Sequence, residues 1–435
     1  MDDHPVSLLV EDDLHRSRLT VFLRLLLAIP HLFILLLYSV FAFVVAVVGW
    51  IAAIFTGRLP NGIHGVLAGY LRYATRVDAY IGLAANPWPP ISGDRSQWMT
   101  YPIDLELPEA TKQRRLTVLF RLFLAIPALI LSGFLGSALG GAGGAGQRDS
   151  NAAFTGVGLA STATVLGWFA SLVRGRMPRG LRDLIVFSIG FGAQTWAYVL
   201  LVTGRYPDAR PDSHVDPLPL DPHPVRIELG GELRRSRLTV FFRLLLSLPH
   251  LVWLTLWGVL VTLAAIVAWL ATLVTGRNPV ALQRFIGAYV RYQTHVYAFL
   301  FLVGGPFPGF DGRPGAYPVE LTIDRSARQH RLVTLFRLLL GIPAILLSLG
   351  FFGVLFLVGV YGWIVGLLLG RMPVGLAELG AAALRYLAQT NAYLLLLTDR
   401  YPYSSPALAT EQPEPEPEPS EPDAPAEPEP SEPVH

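Results

Sequence analysis

The sequence has 435 residues, of which 52% are apolar and only 15% are charged, and its mean hydropathy is positive. This composition excludes an ordinary water-soluble domain and indicates a chain that uses a lipid bilayer as solvent. Cysteine is absent, which excludes a disulfide framework, a thiolate nucleophile and a cysteine metal cluster. Lys112 is the single lysine among many arginines, and this bias favours a bacterial source.

The two ends of the chain differ from its body. The first 13 residues are acidic and lack a small-residue cleavage site, so no cleaved signal peptide is expected. The tail, residues 404–435, alternates Glu and Pro and is predicted to be a disordered arm. It holds nine acidic residues after position 410, and removing these nine charges from the formal +2 leaves +11 on the rest. The arm either solubilises the protein or docks onto a basic protein partner.

Four similar units follow one another along the body of the chain. An arginine-rich string recurs at 18–30, 115–127, 237–249 and 331–343, and each copy leads to a Gly-Arg-x-Pro turn that begins at Gly57, Gly175, Gly276 and Gly370. We assign repeat 1 to residues 1–95, repeat 2 to 96–210 with an inserted Gly-rich loop at 138–156, repeat 3 to 211–310 and repeat 4 to 311–403.

Each repeat opens with a short segment that follows a proline, at residues 5–8, 102–107, 224–229 and 318–323. Apolar and polar residues alternate in these segments, and β-branched residues are frequent, which predicts half-buried strands. Since one strand is not stable in water, we expect the four to pair into a small cytoplasmic β-sheet.

A long apolar run separates each arginine string from its turn. In repeat 1 it extends from Leu19 to Thr56, and one straight helix of that length would reach about 57 Å across a hydrocarbon core of about 30 Å. Repeat 2 carries 21 extra residues here, and their polar, glycine-rich sequence cannot lie in lipid. We therefore predict a turn there, and near Ser39, Gly258 and Gly353 elsewhere, which makes each run a transmembrane helical hairpin.

Hairpins return both arginine-rich ends of each run to one side of the membrane. The positive-inside rule assigns that side to the cytoplasm, with Arg148 of the insertion outside. The prediction is a multi-pass protein of the cell membrane with both termini in the cytoplasm.

A third helical stretch follows each turn and carries polar and aromatic residues along one face, as in Arg72, Tyr73, Arg76 and Tyr80. This pattern is typical of a helix that lies in the headgroup region, interfacial or re-entrant. A third membrane pass is the alternative, because residues 184–202 are apolar enough to span. The predicted fold class is thus an all-α membrane protein of four tandem repeats, each a transmembrane hairpin plus an interfacial helix, with short strands.

The combined motifs resemble an uncharacterised bacterial membrane family, domain of unknown function 4389. They are the Tyr-Pro-Val strand, the arginine string with Ile-Pro-His, Gly-Arg-x-Pro, Arg-Tyr…Ala-Tyr and the Asp-Arg-Tyr-Pro at 399–402, and the likeness covers residues 1 to about 403. The resemblance implies a membrane location and an occurrence in actinobacteria; it implies no activity. Repeat 2 departs from the pattern, because Gly190 and Phe191 replace the Arg-Tyr pair.

Two sets of polar residues are candidates for function. Arginines that anchor the helices to anionic lipid headgroups are Arg18, Arg24, Arg115, Arg121, Arg237, Arg243, Arg331 and Arg337. A substrate role is the alternative for the four inner ones. The intramembrane polar candidates are His31, His250, Asp183 and Glu378. The histidines occur in odd repeats and the acids in even ones, which predicts a pseudo-two-fold bundle. A proton or ion relay through the histidines is one interpretation; the other is that each pairs the carbonyl freed by the preceding proline, Pro30 or Pro249.

No nucleotide-binding, hydrolase or metalloprotease motif occurs, so neither an enzyme nor a cofactor, a metal or a nucleic acid is expected. We predict a structural or scaffolding membrane protein that binds anionic lipid and recruits partners. A transporter or ion channel that uses the bundle centre is the alternative, and a lipid-processing enzyme is a weaker one. The sequence assigns no oligomeric state.

Overall fold

The structure is a computed structural model that describes residues 4–91, 101–136, 158–215, 223–324 and 328–407. Arg148 and the acidic tail from residue 408 onwards lie outside this range. The first two repeats contain β1 (Ser7–Val10), α1 (Arg18–Thr56), α2 (Asn61–Ile81), β2 (Ile103–Glu106), α3 (Arg115–Leu119), α4 (Arg121–Leu135), α5 (Leu159–Arg174) and α6 (Arg179–Val199). A 3-10 turn at Pro211–Ser213 follows.

The last two repeats contain β3 (Val225–Leu229), α7 (Arg237–Phe241), α8 (Arg243–Thr275), α9 (Val280–Leu300), β4 (Val319–Ile323), α10 (Arg331–Leu335), α11 (Arg337–Leu369) and α12 (Val374–Leu394). We call α1, α8 and α11 the long helices, together with the α4–α5 segment of repeat 2. The 21-residue helices α2, α6, α9 and α12, which run back along them, are the return helices. Three long helices, α1, α8 and α11, are long and apolar enough to cross a membrane.

The predicted hairpins are wrong in repeats 1, 3 and 4, because each apolar run continues as a helix through its predicted turn. Ser39 does not break α1, since its hydroxyl donates to Leu36 O at 2.7 Å within the helix. Gly258 and Gly353 are small for packing: a Cβ would lie 3.0 Å from Tyr289 Oη at the first and 3.4 Å from the Phe134 ring at the second. At 1.5 Å per residue, the 39 residues of α1 reach roughly 58 Å.

In repeat 2 the long helix is interrupted, but its two parts keep the places they have in the other repeats. Helix α4 ends at Gly136 in a left-handed conformation, and Gly158 resumes the chain so close that a Cβ on Gly136 would lie 2.6 Å from Gly158 Cα. Arg121 of α4 contacts the end of α6, whereas Gly167 of α5 packs against Met177 before its start. The insertion is therefore joined to the protein at the middle of the α4–α5 segment.

The return helices are the most buried elements, which corrects their predicted interfacial position. In α6, 17 of 21 residues are buried, whereas α1 buries only seven of its 39. Their polar side chains bind strands instead of lipid headgroups. Gln194 Nε2 donates to Val6 O and Gln389 Nε2 donates to Val225 O, both at 2.9 Å. Small residues allow close packing, as at Gly380 of α12, where a Cβ would lie 2.5 Å from Val303 after α9 and 3.1 Å from Val358 of α11.

The strands form two antiparallel pairs, β1–β2 and β3–β4, where one sheet was predicted. Leu8 lies opposite Leu105, and Ile227 lies opposite Leu321. The free edges cannot easily join, because the glutamines of the return helices already bind the carbonyl oxygens of Val6 and Val225.

Repeats 1 and 2 are interlocked, as are repeats 3 and 4, because the start of each long helix meets the end of its partner. Trp50 Nε1 donates to Val118 O at 3.0 Å and Trp168 Nε1 donates reciprocally to Val21 O at 2.9 Å. Trp269 repeats the contact by donating to Thr334 O. The odd and even repeats are therefore paired twice, and the partner long helices are antiparallel.

The two pairs meet across α4, α5 and α11 and across the segments that follow α6 and α12. Gly350 of α11 packs on Leu159 of α5. Gly180 in α6 lies against the backbone of Ser404, and Gly375 in α12 lies against that of Arg210. These last two contacts are equivalent and reciprocal, as a pseudo-two-fold axis between the halves requires.

Candidate functional site

Four buried arginines, one per repeat, bind the C-terminal ends of the return helices. Arg24 Nη1 donates to Tyr80 O at 2.6 Å and to Ala85 O at 2.9 Å. Arg121 and Arg337 make the equivalent bonds, and Arg243 Nη2 donates to Gly304 O and Gly305 O at 3.0 and 2.9 Å. All four residues are 1–2% exposed. These arginines, which we call the inner arginines, were predicted as lipid anchors, but the structure places them inside the protein.

Each inner arginine also lies over an aromatic ring in the last turn of the same return helix. The guanidinium carbon is 4.1–4.8 Å from the ring centroids of Tyr80, Tyr198, Phe299 and Tyr393. Such cation–π contacts strengthen when water is excluded. The sequence contains a signal that could have revealed this pairing, because 56 residues separate Arg24 from Tyr80 and Arg337 from Tyr393.

The backbone at the C-terminal end of each return helix explains why an inner arginine lies there. After each one a leucine takes a left-handed backbone conformation, with φ of 62–64° at Leu83, Leu201, Leu302 and Leu396. This conformation costs an L-residue roughly 1–2 kcal/mol, and the four leucine side chains offset it by being almost completely buried. The turn directs several carbonyl oxygens at the inner arginine, and a cation at a helix C-terminus is stabilised by the helix dipole.

The outer arginines Arg18, Arg115, Arg237 and Arg331 are all exposed, and they lie at the ends of the partner long helices. Arg18 donates to Val173 O at 3.0 Å, Arg237 to Leu368 O at 3.1 Å and Arg331 to Val274 O at 2.8 Å. Arg115 lies beside Gly57, at the end of α1.

Exposed cations gather at four places, which we call the arginine corners. Each corner joins the start of one long helix to the end of its partner. Their exposed members are Arg18, Arg174 and Arg176; Arg58, Lys112, Arg114 and Arg115; Arg234, Arg237 and Arg371; and Arg277, Arg328 and Arg331. Apolar side chains are exposed next to them, such as Leu19 and Leu238, each 70% exposed.

A family model for a domain of unknown function (DUF4389) matches residues 18–92, 237–308 and 331–405, which is about half of the chain. The chain belongs to the DUF4389 family. The three matches coincide with repeats 1, 3 and 4, in agreement with the resemblance found in the sequence. Searches of curated proteins and of solved structures find no match.

In repeat 2 of this DUF4389 protein, Gly190 and Phe191 stand where the other repeats have an Arg-Tyr pair, and the space beside Gly190 is already filled. A Cβ on Gly190 would lie 2.5 Å from Nδ1 of His214, which occupies the space used by an arginine elsewhere. His214 also packs edge-on against Phe187, with ring centroids 5.5 Å apart. Burial lowers the pKa of His214 to about 4, so the ring is neutral at physiological pH.

The histidines predicted for a relay, His31 and His250, face the return helices. His31 Nδ1 lies 2.9 Å from Tyr73 Oη, and His250 Nδ1 lies 2.8 Å from Tyr292 Oη. The second ring stacks on Phe310 at 4.2 Å between centroids. Neither ring nitrogen pairs with the carbonyl freed by the preceding proline, because the tyrosine of the return helix is directly opposite. Each Nε2 is buried without a hydrogen-bond partner.

The acids Asp183 and Glu378 occupy equivalent positions between the halves. Asp183 accepts from Tyr403 Oη at 3.4 Å and lies 3.0 Å from Arg182 Nε, and burial raises the pKa of this carboxyl. Burial also raises the pKa of Glu378, which faces Asp208, Arg210 and Asp212.

The structure does not assemble the histidines and the acids into one site. In the described part of the chain, none of the hydrogen bonds or ring contacts of His31 or His250 involves Asp183 or Glu378. The residues that the structure describes also contain no group of three or more acidic and histidine side chains that could ligate a metal. A pathway that links these four residues receives no structural support.

Proposed function

We propose that this protein is a membrane scaffold whose long helices are embedded in lipid and whose arginine corners bind anionic headgroups. The observation that carries the proposal is the placement of exposed side chains. Apolar residues are exposed along the whole of α1, from Leu19 at 70% to Phe55 at 74%, and cations are exposed at both of its ends. Exposed apolar surface of this extent marks a membrane contact, and arginines at its border match lipid phosphates.

The length of this surface supports an arrangement in the plane of one leaflet. From Leu19 to Phe55 it extends about 54 Å, whereas the hydrocarbon core is about 30 Å thick. A straight helix crossing that core would have to tilt by roughly 55°, beyond the usual range of up to about 40°. Lying along the leaflet, the same helix keeps its apolar surface in lipid and both arginine-rich ends at headgroups.

The insertion in repeat 2 supports the same arrangement. It leaves the long helix midway, between Gly136 and Gly158, and its sequence includes Gln147, Arg148 and Asp149. In a crossing helix the middle would be at the bilayer centre, where such residues are costly. In a helix parallel to the surface, the middle is as close to water as the ends. Because the cytoplasmic leaflet carries anionic lipids that attract clustered arginines, we assign all the corners to that leaflet of the cell membrane.

A multi-pass arrangement is the second candidate, because three long helices have the length and composition to cross a bilayer. Both arrangements leave the four corners exposed to headgroups, so lipid binding does not depend on the choice. The acidic tail supplies a further element of the scaffold, since nine carboxylates suit a basic protein partner.

Single cysteines decide the topology, because the natural chain has none. The variants are Ser17→Cys, Arg58→Cys and Arg148→Cys, treated in intact cells and in inverted vesicles with a thiol reagent that cannot cross membranes. The in-plane arrangement predicts that all three react only from the cytoplasmic side. Reaction of residue 148 from outside would contradict the in-plane arrangement, and reaction of residues 17 and 58 from opposite sides would establish a crossing α1.

Lipid binding is tested by replacing the four outer arginines together with glutamine. Because these side chains are exposed, the variant should fold while retaining fewer phosphatidylglycerol molecules, counted by native mass spectrometry after extraction in detergent. The control replaces four exposed polar residues away from the corners, Glu228, Asp311, Arg313 and Asp324, with alanine. Equal lipid retention by both variants would refute the role of the corners.

A further inference from the structure

Repeats 1 and 3 each contain a second buried arginine beside the inner one. These residues are Arg16 and Arg235, which are 2% and 8% exposed. Arg16 donates to Leu83 O and Ala84 O, and Arg235 donates to the equivalent Leu302 O and Val303 O. Repeats 2 and 4 have Gln113 and Gln329 at this position, and their amide oxygens accept from Arg121 and Arg337. The odd repeats therefore bury two adjacent guanidinium groups, and two such charges need an anion.

Repeat 1 provides that anion from its own chain. Arg16 forms a two-point ion pair with Asp12, with nitrogen–oxygen distances of 2.9 and 2.5 Å. Arg24 Nη2 donates to Asn86 Oδ1 at 3.1 Å. The acid and the amide thus satisfy the outward faces of both arginines.

Repeat 3 lacks both groups, because Gly231 stands where repeat 1 has Asp12 and Gly305 stands where it has Asn86. Arg235 is left with carbonyl oxygens alone as partners. Arg243 keeps two nitrogen atoms, Nε and Nη1, that are buried without a hydrogen-bond partner. Glu232, which follows Gly231 in the chain, is exposed and contacts Arg235 through its backbone oxygen.

A cavity opens where the acid and the amide are missing. It has a volume of about 360 Å³, and its walls include Gly231, Arg234, Arg235, Arg243 and Gly305, together with one acid, Glu232. The hydroxyl-bearing residues Ser236 and Thr239 also line it. Arginine is the side chain best suited to bind a phosphate group through two parallel hydrogen bonds. This volume exceeds what one phosphate group needs.

We propose that the cavity of repeat 3 is a specific binding site for a phosphate ester, held by Arg235 and Arg243. The cavity lies at the start of a long helix, where Leu238 and Leu244 are 70% and 73% exposed. A phospholipid headgroup would reach it with its acyl chains on that apolar surface. A soluble phosphate ester presents the same chemistry. The lipid source rests on the proposed membrane function; the site itself does not.

The test uses the full chain in detergent. Binding of glycerol 3-phosphate is measured by calorimetry, and binding of phosphatidic acid and phosphatidylglycerol, with phosphatidylcholine as the neutral control, by native mass spectrometry. One saturable site is expected. Arg235→Gln should weaken it at least tenfold, and this variant should fold because Gln113 and Gln329 occupy the same position in repeats 2 and 4. The control Arg313→Gln changes an exposed arginine away from the corners and should bind as the natural chain does.

A second pair of variants tests the comparison with repeat 1. Gly305→Asn adds the amide that Asn86 provides, which should satisfy Arg243 internally and weaken phosphate binding. Gly305→Ala fills similar space without an acceptor and should retain binding. An added Cβ at residue 305 meets only the flexible end of Arg235, at 3.1 Å, so both variants should fold.

The outcomes separate the two sources. If the site binds phospholipid but not glycerol 3-phosphate, its ligand is a lipid headgroup. If it binds glycerol 3-phosphate but not phospholipid, its ligand is a soluble ester, and a lipid source for this site is contradicted. Equal affinity in the natural chain and Arg235→Gln, or no saturable binding of either ligand, would overturn the proposed site. Loss of phosphatidylglycerol from the outer-arginine variant with the repeat 3 site intact would support both proposals.

Discussion

Repeats 1 and 3 have the same backbone fold and two buried arginines at equivalent positions, but they neutralise the charge of these arginines differently. Repeat 1 closes the arginine pair with Asp12 and Asn86, whereas repeat 3 has glycine at both positions and an open cavity. The comparison teaches that one structural device, a cation at the end of a return helix, can be complete within the chain or left for a ligand. Two small substitutions between equivalent repeats are enough to make this difference.

The largest effect is expected from removing an inner arginine. Arg24→Met should cost about 3–5 kcal/mol, because three hydrogen bonds to a charged group are lost and buried carbonyl oxygens stay unpaired. Arg243→Met should cost less, about 2 kcal/mol, since two nitrogen atoms of Arg243 have no partner to lose. Unfolding of both variants in detergent micelles measures the difference. Equal losses would contradict the contrast between the repeats.

Converting repeat 1 into repeat 3 sharpens the comparison. Asp12→Gly, which introduces the residue that repeat 3 has at this position, leaves Arg16 buried without its carboxylate and should cost roughly 3 kcal/mol. Added glycerol 3-phosphate should recover part of this loss and occupy a second site, measured by calorimetry. As a control, Asp13→Gly changes the neighbouring acid, which accepts a bond only from a backbone nitrogen. A destabilised Asp12→Gly chain that binds no additional phosphate would contradict the comparison between the repeats.

Acid sensitivity is expected from His214, which is buried and neutral where it packs against Gly190 of α6. Its pKa is about 4 when folded, whereas an unfolded histidine has a pKa of about 6.5. Its contribution is therefore complete above pH 6.5 and is lost as the pH falls towards 4. His214→Phe should reduce the loss of stability in this window, followed by thermal unfolding at several pH values. His223, whose pKa is also lowered to about 4, remains as an internal reference in the second half.

The smallest effect concerns the two histidines, which are alike in both repeats. His31→Phe and His250→Phe keep the ring packing and lose one hydrogen bond to a tyrosine, so each should cost about 1 kcal/mol. Proton flux into liposomes should be the same for the natural chain and the double variant. Flux by the natural chain that the double variant abolishes would instead support a transporter.

Much of the fold was accessible from the sequence, because repetition makes every local feature visible more than once. The strands were predicted from proline and alternation, and three of the four repeats match the family model. The pairing of odd with even repeats agrees with β1–β2 and β3–β4. The hairpins were predicted wrongly because the length argument assumed that a membrane helix must cross the bilayer, while nothing near Ser39 ends a helix.

The site was only half visible. The recurring arginines are visible in the sequence, but the position of the inner ones inside the protein depends on carbonyl oxygens about 56 residues away, at the end of another helix. The phosphate site in repeat 3 was missed, since its signal is the absence of two side chains, at Gly231 and Gly305. The missing side chains become informative only when Asp12 and Asn86 of repeat 1 are seen to bind Arg16 and Arg24, the equivalents of Arg235 and Arg243.

The sequence by itself determined the lipid-facing composition, the four units and the arginine at the start of every long helix, because hydropathy and repetition are local properties of the chain. Only the tertiary structure decided which arginines are exposed and which are buried against carbonyl oxygens, and which helices are buried. Those choices depend on partners that are distant in the chain, and a buried charge is stable only where such partners meet it.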